Sequence, residues 1–217
     1  MSEPASTSAP ASLPAVLLVI AGPAGSGKST LCDRLVRERA EFSRVVTTTT
    51  RAPRIGEIHG VHYHFFSPEE FRRKIARGEF LEWAQVHGDH EDRLYGTLKS
   101  SVFDPLSQGR SLIMSIDVQG VESLRRVARS DDRLQRAMTT IFIVVDRDRL
   151  IARMRERAMD HEDEIERRMA TAEAELREAA KFDFVIESHT RDEDFQTLLR
   201  IVDKARTRTA AAVVGGP

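Results

Sequence analysis

A glycine-rich turn between an apolar strand and a helix constrains this chain more than any other feature. Residues 22–29, GPAGSGKS, fit the pattern G-x-x-x-x-G-K-[ST] and follow the unbroken apolar run 16–20. Glycines allow backbone angles that turn successive N–H groups inward, and the helix that follows adds its positive amino-terminal end. The segment therefore predicts a phosphate-binding loop for a nucleoside triphosphate, with a chance glycine-rich turn as the alternative.

Side chains within the loop have separate predicted tasks. Lys28 can reach the β- and γ-phosphates, and the Ser29 hydroxyl can ligate the Mg²⁺ that accompanies ATP. The predicted ATP-binding residues are Gly22, Pro23, Ala24, Gly25, Ser26, Gly27, Lys28 and Ser29. The motif indicates the phosphate donor and leaves the acceptor open.

Strand-like and helix-like segments alternate along most of the chain. Buried strands are predicted at 16–20, 111–116 and 140–145, and a weaker strand is predicted at 184–186. Helical periodicity covers 29–40, 118–128, 147–158, 165–180 and 192–206. This alternation predicts an α/β fold, in which a parallel-stranded P-loop core sheet is flanked by helices.

The stretch 45–99 departs from that alternation. It begins with a run of threonines and shows strand-like alternation around 61–66. One short helix is predicted after it, with Ser67 as the N-cap, Pro68 at the first helical position and Gly78 at the end. We predict that this stretch is an insert that forms a small substrate-binding subdomain.

Composition and charge narrow the class of protein. The 217 residues carry 33 Lys and Arg against 34 Asp and Glu, a net charge of -1 that argues against a nucleic-acid coat or a polybasic membrane binder. A single cysteine, Cys32, excludes a disulfide scaffold and suits a reducing compartment. No apolar run approaches the length of a membrane span. We expect a cytoplasmic domain over 15–206, a disordered tail over 1–14 and a flexible tail over 207–217.

Arginines and tyrosines in the insert indicate a second phosphate site. Arg51 and Arg54 flank the stiff Pro53, and two guanidiniums on one turn can fork onto one phosphate. Tyr63 and Tyr95 are the two tyrosines of the chain, and a phenol can donate to a phosphate oxygen. The alternative for each arginine taken alone is a solvated surface charge.

A series of motifs downstream of the phosphate loop resembles guanylate kinase. The motifs are RAPRIGEIHGVHY (51–63), FLEWA (80–84), YGT (95–97) and IDVQG (116–120), and the similarity covers 17–204. The resemblance implies transfer of the ATP γ-phosphate to GMP, giving ADP and GDP, with Mg²⁺. It also implies a parallel core sheet, a nucleotide-binding insert at about 45–99 and a mobile lid at about 147–170.

The resemblance implies roles for individual residues. The implied ligands of GMP are Thr47, Arg51, Arg54, Tyr63, Glu82, Tyr95, Thr97 and Asp117. The implied catalytic residues are Lys28 and Arg51 together with three lid arginines that close over the phosphates, Arg153, Arg157 and Arg168. ATP and GMP are the expected partners, and neither nucleic acid nor a membrane is expected.

The chemistry of the purine bases supports the role of Glu82 independently. Guanine presents two adjacent donors, N1–H and N2–H₂, and an ionised carboxylate accepts both. Adenine has an acceptor at that edge and would leave Glu82 unpaired, which costs about 1–3 kcal/mol or more for a buried charged group. The alternative for Glu82 is a surface carboxylate.

Asp117 and the lid arginines also have structural alternatives. Asp117 ends a core strand at the edge where ligands of parallel sheets bind. It can contact the guanine amino group, contact water around Mg²⁺, or cap the helix that follows. Arg153 and Arg157 lie one helical turn apart, in a stretch dense enough in both charges to form a solvated helix without any function.

Four positions depart from the family pattern. Ser115 stands where the family shows the first acid of D-x-D, and the loop 88–95 is longer by four residues than the usual G-x-Y-Y-G. The lid carries RERA (155–158) in place of R-G-R-G, and Ser188 stands where Asn is usual near the adenine. These departures predict altered positioning of metal-bound water and a stiffer lid.

Other functions stay open at this point. A kinase of another small phosphate, such as a ribose phosphate, would have no base for Glu82 and Thr47 to bind. A catalytically silent guanylate-kinase-like module that binds phosphorylated peptides typically lacks the phosphate loop, which this chain keeps. His62 and His64 share a strand face, but a surface position is favoured over a metal site because no Cys set or helical His/Glu pair accompanies them.

Overall fold

Strands and helices alternate through most of the chain. The structure, a computed structural model, describes residues 14–86, 93–156 and 162–214. Its strands are β1 (Leu17–Ala21), β2 (Phe42–Arg44), β3 (Thr48–Thr49), β4 (His64–Phe65), β5 (Phe80–Val86), β6 (Arg93–Leu98), β7 (Ser111–Ser115), β8 (Met138–Val144) and β9 (Phe184–Glu187). Its helices are α1 (Lys28–Glu38), α2 (Pro68–Ala76), α3 (Ser100–Ser107), α4 (Val118–Ala128), α5 (Asp132–Ala137), α6 (Arg147–Glu156), α7 (Glu162–Arg177) and α8 (Arg191–Val214).

The core sheet has five parallel strands in the order β2-β7-β1-β8-β9. Every residue of β1 is buried, because helices cover both faces of the sheet. On one face Leu18 and Ile20 pack with α1 and α8, and on the other Leu17 and Val19 pack with α4. The predicted α/β fold with a parallel P-loop core sheet is confirmed.

A second sheet of four strands, in the order β4-β3-β6-β5, lies within the stretch predicted as an insert. Helix α2 packs against it through Phe71, whose ring stacks on Phe80 at 4.3 Å between centroids. Strand β6 requires glycine at Gly96, because a Cβ there would lie 2.8 Å from the Phe80 ring and 2.9 Å from the Glu82 carbonyl oxygen. Close approach of β5 and β6 at this point brings Glu82 opposite Thr97.

Helix α2 has the ends that the sequence predicts. The Ser67 hydroxyl accepts a hydrogen bond from the Glu70 N–H at 3.1 Å, and Pro68 is the first helical residue. Gly78 follows with a φ of 65°, which favours glycine. Local capping chemistry alone therefore sets the limits of this helix.

Several elements of the fold have no counterpart in the sequence prediction: the strands β2, β3, β5 and β6 and the helices α3 and α5. Strand β2 has three residues and forms by pairing with β7, from Phe42 opposite Ser111 onward. Helix α5 has six residues, and Asp131 caps it by accepting from the Arg133 and Leu134 N–H groups. Elements of two to eight residues show too little periodicity in the sequence to be detected. They form because tertiary contacts stabilise them.

The carboxyl-terminal prediction is wrong for residues 207–214. Helix α8 continues to Val214, whereas the sequence predicted a flexible tail from 207. Thr209 is buried, and its hydroxyl donates to the Arg136 carbonyl at 3.1 Å. The alanines of 210–212 lie in the stretch predicted as a flexible tail, but they are strong helix formers that extend a helix already docked on the core.

Helices α6 and α7 form the region predicted as a lid. Their bases are tied to the core sheet through the buried side chains of Leu150, Met169 and Ala172. An ion pair of 3.7 Å joins Arg147 on α6 to Glu173 on α7. Across 14–86, 93–156 and 162–214, no helix has the length and apolar content of a membrane span.

Candidate active site

Positive φ angles at three glycines shape the phosphate loop. Gly22, Gly25 and Gly27 have φ values of 142°, 84° and 94°, in the region that other residues rarely adopt. A Cβ at Gly22 would also lie 2.7 Å from the Ile143 carbonyl oxygen of β8. Side chains at these positions would deform the loop, so the motif glycines are a geometric requirement of the turn between β1 and α1.

Lys28 is the first residue of α1, and its side chain folds over the loop. The ammonium donates to the carbonyl oxygens of Gly22 at 2.5 Å and Pro23 at 2.9 Å. Ser29 follows at the open amino-terminal turn, where its hydroxyl is exposed. The Ser26 hydroxyl is buried without a hydrogen-bond partner among the described residues. An unpaired buried hydroxyl within a glycine-rich loop of positive φ angles fits a site for an anionic ligand.

A cavity of about 790 Å³ opens beside the loop, between α1 and the start of α8. Gly25, Gly27 and Thr30 line it on the loop side. On the far side the Arg34 guanidinium donates to the Asp192 carboxylate at 2.7 Å and lies 4.2 Å from the centre of the Phe195 ring. The volume is sufficient for a nucleoside next to the phosphates.

The Arg51 guanidinium lies among aromatic rings of the insert. It is 5.6 Å from the centre of the Tyr63 ring, and the Tyr63 and Tyr95 rings meet edge to face at 6.4 Å. Hydrogen bonds with Glu57 first, and with Tyr95 as well, raise the pKa of Arg51. Burial raises the pKa of Tyr63 and keeps it a donor. A positive charge and two phenols therefore converge, as the sequence predicts for a phosphate site.

Glu57 holds the Arg51 side chain and the turn at Arg54 in place. Its carboxylate accepts from Arg51 Nη2 at 2.8 Å through one oxygen and from the Arg54 N–H at 2.7 Å through the other. These two contacts, with Arg51 the larger cause, lower the pKa of Glu57 to about 2. The carboxylate is therefore charged at any physiological pH and fixes both the Arg51 side chain and the turn that carries Arg54, which is exposed.

Glu82 and Thr97 face each other across β5 and β6. The Thr97 hydroxyl is fully buried and donates to Glu82 Oε1 at 2.7 Å. Burial is the main cause that raises the pKa of Glu82, while the Thr97 hydrogen bond lowers it and the charge of Asp117 raises it. Thr47 precedes β3 and is half-buried, and its carbonyl accepts from the His64 N–H at 2.8 Å.

Electrostatic neighbours connect the two predicted sites. Asp117 follows β7, and its negative charge raises the pKa of Glu82 in the insert. Glu175 of α7 has a pKa raised by burial first, lowered by Lys28 and raised by Asp117. Lys28, Glu175, Asp117 and Glu82 therefore lie around one region at the carboxyl edge of the core sheet. The phosphate loop and the insert face the same side of the molecule.

Asp117 performs the structural task that we weighed as an alternative. Its Oδ1 accepts from the Gly120 N–H at 2.7 Å and caps α4, while the residue stays exposed at the edge of the site. Arg153 and Arg168 lie on α6 and α7, and Arg157 lies outside the described residues. The phosphate-binding roles of these arginines therefore stay predictions.

Sequence reasoning missed three residues that organise the site. Glu57 was part of a quoted motif without an assigned role, and Glu175 was not considered. Arg149 donates to the carbonyls of Ser188 at 2.9 Å and His189 at 3.0 Å, which fixes the loop after β9. The Ser188 hydroxyl is turned inward and donates to Asp194 at 2.7 Å. The ion pair of Glu57 with Arg51 and the electrostatic effect of Lys28 on Glu175 depend on tertiary contacts that no local pattern indicates.

Comparisons with known proteins match this geometry to one family. The guanylate kinase family model matches residues 15–205. The chain is 43% identical to a guanylate kinase of Nitratidesulfovibrio vulgaris over 77% of this chain and 76% of that protein. It is 38% identical to one of Wolinella succinogenes, covering 88% and 85%. The chain belongs to the guanylate kinase family.

A solved guanylate kinase has the same fold. The crystal structure of the Anaplasma phagocytophilum guanylate kinase superposes with a TM-score of 0.67 at 26% identity, over 90% of this chain and 87% of that one. The predicted family, the fold and the expectation of a phosphotransferase are confirmed. The protein with this sequence and fold uses ATP and phosphorylates GMP.

Replacing Glu57 with Gln in this guanylate kinase tests the brace on Arg51. Loss of the charge removes the strongest partner of Arg51, so we expect KM for GMP to rise about tenfold, the equivalent of one charged hydrogen bond. We expect kcat to change less than about threefold, since Glu57 acts through Arg51. Steady-state kinetics with varied GMP separate the two constants.

Glu79→Gln is the matched control. Glu79 accepts from Lys74 at 2.9 Å in an ion pair of the same insert, away from the tyrosines. We expect KM and kcat of Glu79→Gln to equal those of the wild type. Equal KM values for Glu57→Gln and wild type would show that Arg51 keeps its position without the brace.

Proposed function

We propose that this guanylate kinase binds ATP at the phosphate loop and GMP at the insert, with the residue roles given below. The single observation that carries the assignment is the half-buried Glu82 carboxylate, fixed by Thr97 at 2.7 Å on the same side as Lys28. An ionised carboxylate in a half-buried pocket needs donors, and the N1–H and N2–H₂ edge of guanine supplies two. Thr47 and Asp117 contact the rest of the base.

The GMP phosphate would be held by Arg51, Arg54, Tyr63 and Tyr95. Arg51 is held by Glu57 and surrounded by rings, so binding the phosphate needs little further ordering of this side chain. Arg54 is exposed beside the rigid turn and can swing onto the same phosphate. The two guanidiniums would balance the negative charge of the GMP phosphate. Together with the two phenols they would orient the phosphate oxygen that accepts the γ-phosphoryl group.

The ATP phosphates would bind backbone N–H groups of the loop at residues 22–29, apart from Pro23, which has none, with Lys28 on the β- and γ-oxygens. The ATP nucleoside would occupy the 790 Å³ cavity beside Thr30 and Arg34. Lys28 moves from the loop carbonyls to the phosphates in this proposal, and the negative charge it meets there replaces two carbonyl dipoles. Closure of α6 and α7 would bring Arg153, Arg157 and Arg168 onto the transferring phosphoryl group.

Mg²⁺ fits the donor set at the same edge. Mg²⁺ prefers hard oxygen ligands and keeps several waters. The exposed Ser29 hydroxyl follows β1 and the exposed Asp117 carboxylate follows β7, two paired parallel strands that end at the same edge of the sheet, so both offer such oxygens there. When bound with ATP, Mg²⁺ neutralises charge on the phosphate oxygens. Ser115 supplies a hydroxyl where the family carries an acid, so we assign water positioning mainly to Asp117.

A substrate panel tests the proposed function. The protein is mixed with Mg-ATP and, separately, GMP, AMP, UMP, CMP or ribose 5-phosphate, and ADP is measured. We expect turnover with GMP to exceed that with AMP by at least about a hundredfold, because AMP leaves Glu82 unpaired. Omission of Mg²⁺ is the metal control and should remove turnover.

Two results would contradict the proposal in different ways. Preferred turnover of ribose 5-phosphate would show that the insert does not read a base. Binding of ATP and GMP without any ADP formation would assign the chain to the silent binding modules.

A further inference from the structure

A second cavity lies at the opposite edge of the core sheet from the phosphate loop. Its volume is about 510 Å³, and its walls come from α4, α5, β8 and α8. It is lined by four arginines, Arg125, Arg129, Arg136 and Arg208, and we call it the basal arginine cavity. Met138 at the amino end of β8 lines it, whereas the phosphate loop follows the carboxyl end of β1. About 15 Å of parallel strand separates the two.

The arginine side chains of the cavity are anchored in part by neutral groups. Arg125 Nη2 donates to the Lys181 carbonyl at 2.5 Å and to the Thr140 hydroxyl at 3.2 Å. Arg208 Nη2 donates to the Met138 carbonyl at 2.5 Å and to the Thr139 hydroxyl at 2.7 Å. Carbonyls and hydroxyls fix a guanidinium without cancelling its charge.

Carboxylates compensate only half of the positive charge. Asp183 lies 3.2 Å from Arg208, and Glu122 lies 3.7 Å from Arg125 and 3.8 Å from Arg129. The Arg136 guanidinium has no ion pair with any residue in the described ranges. Among the described residues, four arginines against two carboxylates leave a surplus of two positive charges, in a chain whose net charge is -1.

The floor of the cavity is apolar. Ala128, Met138 and Ala212 contribute carbon surface between the arginines. Guanidiniums present paired donors to phosphate oxygens, and their planes also stack on flat rings. A cavity of this size, with cationic walls and an apolar floor, fits a ligand that has both an anionic and an apolar part.

We propose that the basal arginine cavity is a second ligand site, which binds a small organic phosphate carrying at least two negative charges. Arg129 and Arg136 make the main contacts with the phosphate oxygens, because Arg129 is 72% exposed and Arg136 forms no ion pair within the described part of the chain. Arg125 and Arg208 keep their hydrogen bonds to carbonyl and hydroxyl groups, and their charges add to the positive electrostatic potential of the cavity. The apolar part of the ligand covers Ala128 and Met138.

A methionine reporter separates this site from the active site. The methyl groups of the six methionines are labelled with ¹³C, and the Met138 signal is assigned with Met138→Leu. GDP, inorganic pyrophosphate and neutral guanosine are titrated into the full chain. We expect GDP and pyrophosphate to shift the Met138 signal in a saturable way, GDP at lower concentration, and guanosine to leave it unchanged.

The double variant Arg129→Ala/Arg136→Ala should weaken the Met138 response to GDP at least tenfold and leave GMP turnover unchanged. The control is Arg126→Ala, since Arg126 is exposed on α4, contacts Ser123 at 3.0 Å and does not line the cavity. It should keep the wild-type response.

Four results would overturn the proposal. They are an unchanged Met138 signal in the wild type, an equal response to guanosine, a response that persists in the double variant, and an equal loss in Arg126→Ala. Persistence in the double variant would assign the shift to GDP bound at the active site. The outcome does not depend on which monophosphate the enzyme phosphorylates.

Discussion

Replacing Lys28 with Met is expected to lower kcat by at least about a thousandfold, the scale associated with one cation on a transferring phosphoryl group. Methionine keeps much of the length of the side chain but has no charge to place on the β- and γ-oxygens. The ammonium already lies at the loop, 2.5 Å from the Gly22 carbonyl and 2.9 Å from that of Pro23. The effect should therefore fall on catalysis, measured as ADP release under saturating Mg-ATP and GMP.

Folding of Lys28→Met is checked by thermal unfolding and circular dichroism. Methionine is a good helix former, and position 28 is the first residue of α1, so we expect little change in Tm. Lys204→Met, on the exposed face of α8, is the matched control and should keep full activity. Activity of Lys28→Met within tenfold of wild type would remove Lys28 from the catalytic role.

Replacing Glu82 with Gln is expected to lower kcat/KM for GMP by about a hundredfold to ten-thousandfold. The glutamine amide has one acceptor oxygen, and its NH₂ group meets the donors of guanine, so one of the two hydrogen bonds becomes a repulsion. ATP binding should be unaffected, because Glu82 lies in the insert. Kinetics with varied GMP, and ATP affinity measured by calorimetry, separate these two expectations.

The pH dependence of GMP use gives a second measurement on Glu82. Guanine binding needs the ionised carboxylate, so kcat/KM for GMP should fall as pH drops through the raised pKa of Glu82. Because that pKa is raised in the folded state, protonation of Glu82 favours folding, and this contribution to the free energy of unfolding is lost as pH rises through it. Acid therefore weakens GMP use while it favours the folded protein at this residue.

Thr97→Val sharpens the pH test. The substitution keeps the shape of the side chain and removes the hydroxyl that lowers the pKa of Glu82. The acid limb of the profile should move to higher pH in Thr97→Val and disappear in Glu82→Gln. Identical profiles in the wild type and Glu82→Gln would exclude Glu82 from base recognition.

The length of the last helix and the brace on Arg51 show where sequence reasoning stopped. The alanines near 210 were taken as a tail, although the same residues extend α8 once Thr209 docks on Arg136. Glu57 and Arg51 are six residues apart, and this spacing brings two side chains into contact neither along a helix nor along a strand. The two side chains meet because the chain reverses direction at Arg54. This turn places the Glu57 carboxylate within hydrogen-bond distance of the Arg51 guanidinium and of the Arg54 N–H.

The sequence by itself determined the phosphate loop and the core strands, because both rest on local chemistry. The φ values at positions 22, 25 and 27 strongly favour glycine, and unbroken apolar runs favour burial on both faces. Only the tertiary structure decided that Glu82 lies opposite Thr97, that Lys28 acts electrostatically on Glu175, and that four arginines, from the end of α4, from α5 and from α8, line one basal cavity. Those juxtapositions join residues far apart in the chain, and packing and strand register bring them together.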